Sequence, residues 1–380
     1  MSIRKVIPER LYHDAGSPLS LGCVNCPDNG VCGGLQTSGD HFDCLVFCEC
    51  VDPADCQYVC PNNLLLYMAR FHEVLGFEFD NVPRVQTLSY PSLPFSVPLL
   101  YHSSGRSGRL RADTVAVPLS FLLNRKTGML RFSTREEMAA AFGFDACARL
   151  LITGVDLDQP IEDYWSFRRA THIPEQLAAL RPDLITTPNY STPLDTPRWD
   201  NLHNMKRIAI CWSELIQAGI PASLHLNART DRDYERWTEF VAGRDEVRSV
   251  SLEYATGAAK QERGEWHTQK LVALASATPR PLQLVVRGGQ LHLDQLYKAF
   301  NEVVFVDTTS FLKTINRQKL VARADGKAGW QRAPTSAACP LDAMLEHNAK
   351  GFARVIEDIA TRSLKPERYK FSHGGRQVRH

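Results

Sequence analysis

The chain has 380 residues, 44% of them hydrophobic and 23% charged, which is the composition of a globular protein and excludes a disordered or collagenous polymer. A formal charge of +2 supplies no global basic field that would announce a nucleic-acid partner. Apolar runs such as residues 61–66 and 148–152 fall far short of the roughly 18–20 residues that span a bilayer. No apolar stretch follows Arg4 and Lys5, so no membrane span or secretory leader is expected and a cytoplasmic chain is.

The first predicted unit, residues 1–76, is a cysteine-rich segment followed by a helix. Eight of the 11 cysteines lie in it: Cys23, Cys26, Cys32, Cys44, Cys48, Cys50, Cys56 and Cys60. Their spacing is C-x2-C-x5-C, then C-x3-C-x-C-x5-C-x3-C before Pro61. In a reducing compartment this density points to thiolate ligation of metal rather than to disulfides. Two metal readings stand. Cys23-x2-Cys26 is a knuckle suited to tetrahedral zinc, and eight thiolates hold two such ions. Eight thiolates also hold two 4Fe–4S iron–sulfur clusters, and the ending Cys56-x3-Cys60-Pro61 resembles the last part of a ferredoxin ligand run. Cys44-x3-Cys48 is followed by Cys50 after a single residue, which departs from the C-x3-C-x2-C motif of radical S-adenosylmethionine enzymes. Residues 15–60 are rich in Gly, Asp, Asn and Pro, so a purely structural metal knot explains them as well.

Asn62 or Asn63 can cap a helix with the apolar stripe Leu65, Met68, Ala69, His72 and Leu75, stopped by Gly76. Residues 77–95, with Pro83, Pro91 and Pro94, read as a connector. Strands are predicted at 96–101, 115–119, 148–155, 184–188, 222–226, 247–253, 282–286 and 303–306. Helices are predicted at 135–142, 163–181, 234–241, 265–277, 291–300, 309–320 and 341–363. The clearest helix has Thr196 as cap, Pro197 as first residue and Gly219 as stop. Its apolar residues Leu202, Met205, Ile208, Ala209, Trp212, Leu215 and Ile216 form one buried face. Residues 321–345 read as a polar loop. Eight strands, alternating with helices from residue 148 onward, imply an α/β fold: a (β/α)8-like barrel over residues 77–330, irregular between its first two strands, with an open doubly wound sheet as the rival. Residues 331–380 form a C-terminal helix and basic tail; Lys365, Arg368, Lys370, Arg376 and Arg379 stand against Glu367 alone. That tail is either a solvated terminus or a phosphate-contacting arm.

Barrel chemistry gathers at the carboxyl ends of strands. There the sequence places Asn189, His225, Asn227, Glu253, Arg287 and Asp307. Glu253 or Asp307 can take a proton, His225 relay it, and Asn189 and Asn227 assist, which makes these the candidate catalytic residues. Arg287 with Gly288 and Gly289, and Thr256 with Gly257, are the candidate substrate-binding residues, the glycines allowing a phosphate to approach the backbone. The bland reading is a buried histidine, helix caps at Asn189, Asn227 and Asp307, and an internal Glu253–Arg287 pair.

Residues 183–191, the long helix ending in Ala218-Gly219-Ile220-Pro221, the strand 222–227 and the turn Ala255-Thr256-Gly257 resemble an uncharacterised bacterial and phage family, domain of unknown function 4417. The likeness covers about residues 183–289 and implies an α/β arrangement, with no established activity. The family carries an acidic residue where this chain has Asn189, and an aliphatic residue or proline where it has His225. The union of barrel and cysteine site is similar in architecture to the barrel transglycosylases that exchange guanine in tRNA, although their zinc cysteines follow the barrel and their nucleophile motifs are missing here.

Two functions follow as expectations. One is a metal- or cluster-containing barrel enzyme acting on a phosphate-bearing substrate, including nucleic-acid bases. The other is a non-catalytic subunit of an assembly that binds nucleic acid or protein partners. Electron transfer to a partner is a third reading and requires iron.

Overall fold

The computed structural model describes residues 64–192, 198–255, 261–322, 328–336 and 339–364. The eight clustered cysteines, the cap Thr196-Pro197, Thr256, Gly257 and the basic tail lie outside the described residues. Eight strands form where the apolar runs predict them: β1 Ser96–Pro98, β2 Thr114–Pro118, β3 Arg149–Thr153, β4 Leu184–Thr186, β5 Ala222–His225, β6 Ser249–Glu253, β7 Gln283–Arg287 and β8 Glu302–Asp307. They pair in the order β1-β8-β7-β6-β5-β4-β3-β2, all parallel. Leu99 bridges to Ala116, and the Leu100 amide donates to the Ala116 carbonyl at 2.9 Å, which brings β1 to β2 and nearly closes an α/β barrel.

Parallel neighbours need crossover connections. Helices α2 (Leu119–Leu122) and α3 (Arg135–Phe142) link β2 to β3, and α4 (Asp158–Phe167) and α5 (Ile173–Ala179) link β3 to β4. Then come α6 (Arg198–Gln217), α7 (Asp231–Ala242), α8 (Gln261–Ala277), α9 (Leu293–Ala299) and, after β8, α10 (Thr309–Ile315). Helix α1 (Leu64–Glu73) precedes the barrel. No helix joins β1 to β2; the last helix, α11 (Asp342–Leu364), packs on β1 and β8 instead.

Three predicted elements differ. The helix expected at 163–181 is two helices, because His172 adopts a left-handed φ of 54° between α4 and α5. The helix expected at 309–320 stops at Ile315, and Arg317, at φ 52°, turns the chain into β9 (Gln318–Ala322). β9, which replaces the end of that predicted helix, pairs antiparallel with β10 (Ala328–Arg332), which lies inside the region read as loop. Here polar, exposed side chains on one face hid the strand periodicity, and only Leu320 and Gly329 are buried. At the end of α1, Leu75 is exposed at φ 58°, and Val74 takes the buried place expected of it.

Helix α6 buries its predicted apolar face and much of the rest. His203, Lys206 and Arg207 are buried too, because residues 70–85 lie over its outer side. Arg70 pairs with Asp200, Glu73 Oε2 meets His203 Nε2 at 2.8 Å, and Lys206 Nζ donates to the Glu78 carbonyl and Asn81 Oδ1. Contacts that advance together along both chains make α1 run parallel to α6.

Strand side chains alternate between two cores. Val97, Leu99, Ala116, Leu151, Leu184, Val285, Val304 and Val306 form an inner cluster, while Val303, Phe305, Leu224, Leu226, Val250 and Leu252 pack outward with the helices. The connector seals the amino-terminal end of the barrel. Tyr90 Oη donates to the Ala222 carbonyl at 2.9 Å, the Leu93 amide to Glu302 Oε1 at 2.6 Å, and Gln283 Nε2 to the Pro91 carbonyl at 3.0 Å. Opposite this sealed end lies the mouth formed by the carboxyl ends.

Candidate active site at the barrel mouth

The inner alternation decides which residues face one another. Ser223 and His225 on β5, Ser251 and Glu253 on β6, and Arg287 on β7 share the parity of the inner cluster, so the β5–β7 side of the interior is polar where β1, β2 and β8 are apolar. Glu253 and Arg287 stand opposite each other in the β6–β7 register, with Arg287 Nε 3.2 Å from Glu253 Oε2 at an angle outside hydrogen-bond geometry. Glu253 Oε1 accepts the Ala255 amide at 2.6 Å. The Glu253 side chain is 2% exposed. Burial pushes its carboxyl up to about 7, against the opposing pull of Arg287 and the Ala255 amide. A carboxyl that changes charge near neutrality is suited to general acid–base work. Arg287 also donates through Nη1 to the Val155 carbonyl at 3.1 Å. Val155 follows β3, four places from β7 around the eight-stranded order, so Arg287 reaches across the mouth.

His225 is fully buried, and neither ring nitrogen has a hydrogen-bond partner. Burial pushes it down to about 3, so it is neutral at physiological pH. The expected relay is therefore not assembled, since His225 makes no hydrogen bond to Glu253. Asn227 Nδ2 donates to the Tyr190 carbonyl at 2.6 Å, tying the β5 and β4 loops together. Asn189 sits beyond β4 with its Oδ1 buried and unpartnered. Asn189, His225, Ser251 and Glu253 thus all bring orphaned polar atoms to the β4–β6 side of the barrel, where a polar ligand would satisfy them.

Asp307 is not brought into this group. It shares the outward parity of Val303 and Phe305, and its Oδ1 accepts the Thr309 and Ser310 amides at 2.8 and 3.0 Å, capping α10. Gly288 and Gly289 have φ of 75° and 69°. A Cβ on Gly289 would sit 2.5 Å from the Tyr254 ring, and one on Gly288 2.9 Å from the Ala255 nitrogen. These glycines let the β7 loop lie against the β6 loop, which accounts for them without a phosphate.

Sequence reasoning missed three residues on the opposite side of the mouth. Tyr101 continues the inner parity of Val97 and Leu99. Burial raises its hydroxyl above the usual phenol range; Arg287 opposes that shift, and Asp156 and Glu253 reinforce it, which puts all three charges within its field. Ser120 Oγ donates to Asp156 Oδ2 between the β2 and β3 ends. Reading the carboxyl ends of β1–β3 as closely as those of β4–β8 would have found them.

Among the described residues no group of three or more His, Cys, Asp and Glu is arranged to hold a metal, and no helix is long and apolar enough to cross a membrane. Fold and mouth together define an α/β barrel with a polar cluster at the carboxyl ends of its strands. Comparison with known protein families finds no match, and no curated protein matches the chain.

Proposed function

We propose that the protein is a barrel enzyme performing acid–base chemistry at its mouth on an anionic, phosphate-bearing substrate, including a base within a nucleic acid. The observation that carries this reading is Glu253, a buried carboxyl held near neutral charge balance beside Arg287. Glu253 exchanges the proton. Arg287 supplies the positive charge that an anion would share, and Tyr101, Asn189 and His225 orient the ligand through polar atoms. The clustered cysteines belong to this reading as carriers of zinc or 4Fe–4S clusters, whose contribution would be Lewis-acid or electron-transfer chemistry.

The test is a ligand screen by thermal shift with nucleotides, sugar phosphates and short RNA and DNA, followed by product analysis by mass spectrometry. A true substrate stabilises the wild type, loses affinity in Arg287→Gln, and still binds Glu253→Gln without turning over. A ligand that binds equally well to all three proteins would show that the mouth is not its site. Unchanged turnover in Glu253→Gln would remove the carboxyl from the chemistry.

A further inference from the structure

Beside the connector, at the end of the barrel opposite the mouth, lies a polar cleft of about 420 Å³. That is the size of a small-molecule site. Its walls come from residues 87–91 of the connector and from the chain entering β6, β7 and β8. Arg248 immediately precedes β6, Gln283 opens β7 and Glu302 opens β8. Strands β6 and β7 end in Glu253 and Arg287, so the cleft and the mouth lie at opposite ends of the same two strands.

Two opposite charges face this cleft without neutralising each other. Arg248 is half-buried, and among the described residues its guanidinium makes no hydrogen bond and no ion pair. The neighbouring Arg280, by contrast, donates to the carbonyls of Val241, Arg244 and Val247 and pairs with Asp245. Glu302 is held in place, because its Oε1 accepts the Leu93 amide at 2.6 Å and Gln283 Nε2 at 3.1 Å. Among the described residues no donor reaches its Oε2. Gln283 is only 7% exposed. Both partners of its Nε2, Glu302 and the Pro91 carbonyl, are acceptors, which fixes the orientation of the amide and leaves Oε1 buried without a donor. Exposed Thr87 and Ser89 add hydroxyls to the lining.

This arrangement selects the ligand. A phosphate or a simple carboxylate would pair with Arg248 but meet the Glu302 carboxylate, and a simple amine would meet the reverse. A small molecule with one charge of each sign satisfies both groups. Its N–H groups are the donors that Glu302 Oε2 and Gln283 Oε1 lack.

We propose that this cleft is a second ligand site that binds a free α-amino acid, with the carboxylate on Arg248 and the ammonium on Glu302 and Gln283.

The test is binding to the full chain, measured by thermal shift and calorimetry, of each proteinogenic amino acid at millimolar concentration. At least one should stabilise the wild type, while its N-acetyl and carboxamide derivatives, which each lack one charge, should not. Arg248→Gln and Glu302→Gln should each weaken that amino acid at least about tenfold. Arg287→Gln, at the mouth, should bind it as the wild type does. Glu302→Gln keeps an acceptor for the Leu93 amide, and circular dichroism checks its fold; the wild type with the two derivatives tests the charge requirement independently of any variant. No stabilisation by any amino acid, equal binding of the derivatives, or undiminished binding in Arg248→Gln would each overturn the proposal. So would binding of inorganic phosphate in place of an amino acid, or a loss confined to Arg287→Gln. The readout involves no turnover, so it stands or falls apart from the acid–base reading.

Discussion

Glu253 and Arg287 occupy facing positions on neighbouring strands, and the carboxylate oxygen and guanidinium nitrogen lie 3.2 Å apart inside the barrel. Burial dominates the pair: it raises the carboxyl to about 7 even with the guanidinium beside it. Because the folded value lies above the ordinary one, the native state holds this proton more tightly than the unfolded chain. The resulting stability is fully present below about pH 4.5 and lost as pH rises through 7, a fall of about 3 kcal/mol. Buried His225, held down at about 3, and His267 and His203, also lowered by burial, change stability in the opposite sense over this range, so urea unfolding at pH 4.5, 6 and 7.5 reads the Glu253 contribution as the difference between wild type and Glu253→Gln, which should fall as pH rises. A slope unchanged in the variant would assign the titration to another group.

Asp307 separates capping from chemistry. Asp307→Ala removes the acceptor for the Thr309 and Ser310 amides and should cost about 1–2 kcal/mol in chemical denaturation. With a substrate in hand, its kcat should stay within about threefold of wild type, whereas Glu253→Gln should lose at least about a hundredfold. Equal losses in the two variants would place both carboxyls in the mechanism.

Two glycines with similar backbones predict different outcomes. Gly219 and Gly289 have φ of 81° and 69°, but a Cβ at Gly219 meets nothing within 4 Å and one at Gly289 collides with Tyr254. Gly219→Ala should therefore cost about 1 kcal/mol from backbone strain alone. Gly289→Ala should cost about 2–3 kcal/mol, since steric overlap with a buried ring adds to that strain. Midpoints of thermal or urea unfolding decide the order.

Glu73 anchors α1 to the barrel. It accepts from Trp165 Nε1 at 2.7 Å and from His203 Nε2 at 2.8 Å. The His203 hydrogen bond is the main cause that holds its carboxyl down at about 2. Burial lowers His203 as well, so at neutral pH a neutral imidazole donates to a carboxylate. This contribution is present above pH 4.5 and is lost as pH falls toward 2; with Glu73 nearly half exposed it amounts to about 1 kcal/mol. In Glu73→Ala, amide exchange in residues 64–73 should accelerate about fivefold, with β5–β7 unchanged. Uniform acceleration would mean that α1 and the barrel unfold as one unit.

The cysteine spacing predicts bound metal. Protein purified without oxygen should carry about four or eight irons with matching sulfide and a brown absorption, or one or two zinc ions without colour. Metal and sulfide analysis distinguishes these outcomes, and a metal-free chain with intact thiols would end the ligation reading of Cys23 to Cys60.

The order and type of the barrel elements were legible because strands buried on both faces read as short apolar runs, and residues 148–155, 184–188 and 282–286 are such runs. Glu253, His225 and Arg287 were legible as polar residues at the ends of those runs. The antiparallel pair β9–β10 was not, because most of its side chains are solvated or half-exposed and leave no apolar run to read. The burial of His203, Lys206 and Arg207 was equally hidden, since it depends on residues 70–85 lying over α6. By itself the sequence determined the α/β alternation, the eight strand positions and the polar strand ends, all consequences of local periodicity. Tertiary structure alone decided that Arg287 spans the mouth to Val155, that Asp307 turns outward to cap a helix, and that α1 runs alongside α6. Those relationships join residues far apart in the chain, and their geometry exists only once the barrel has closed.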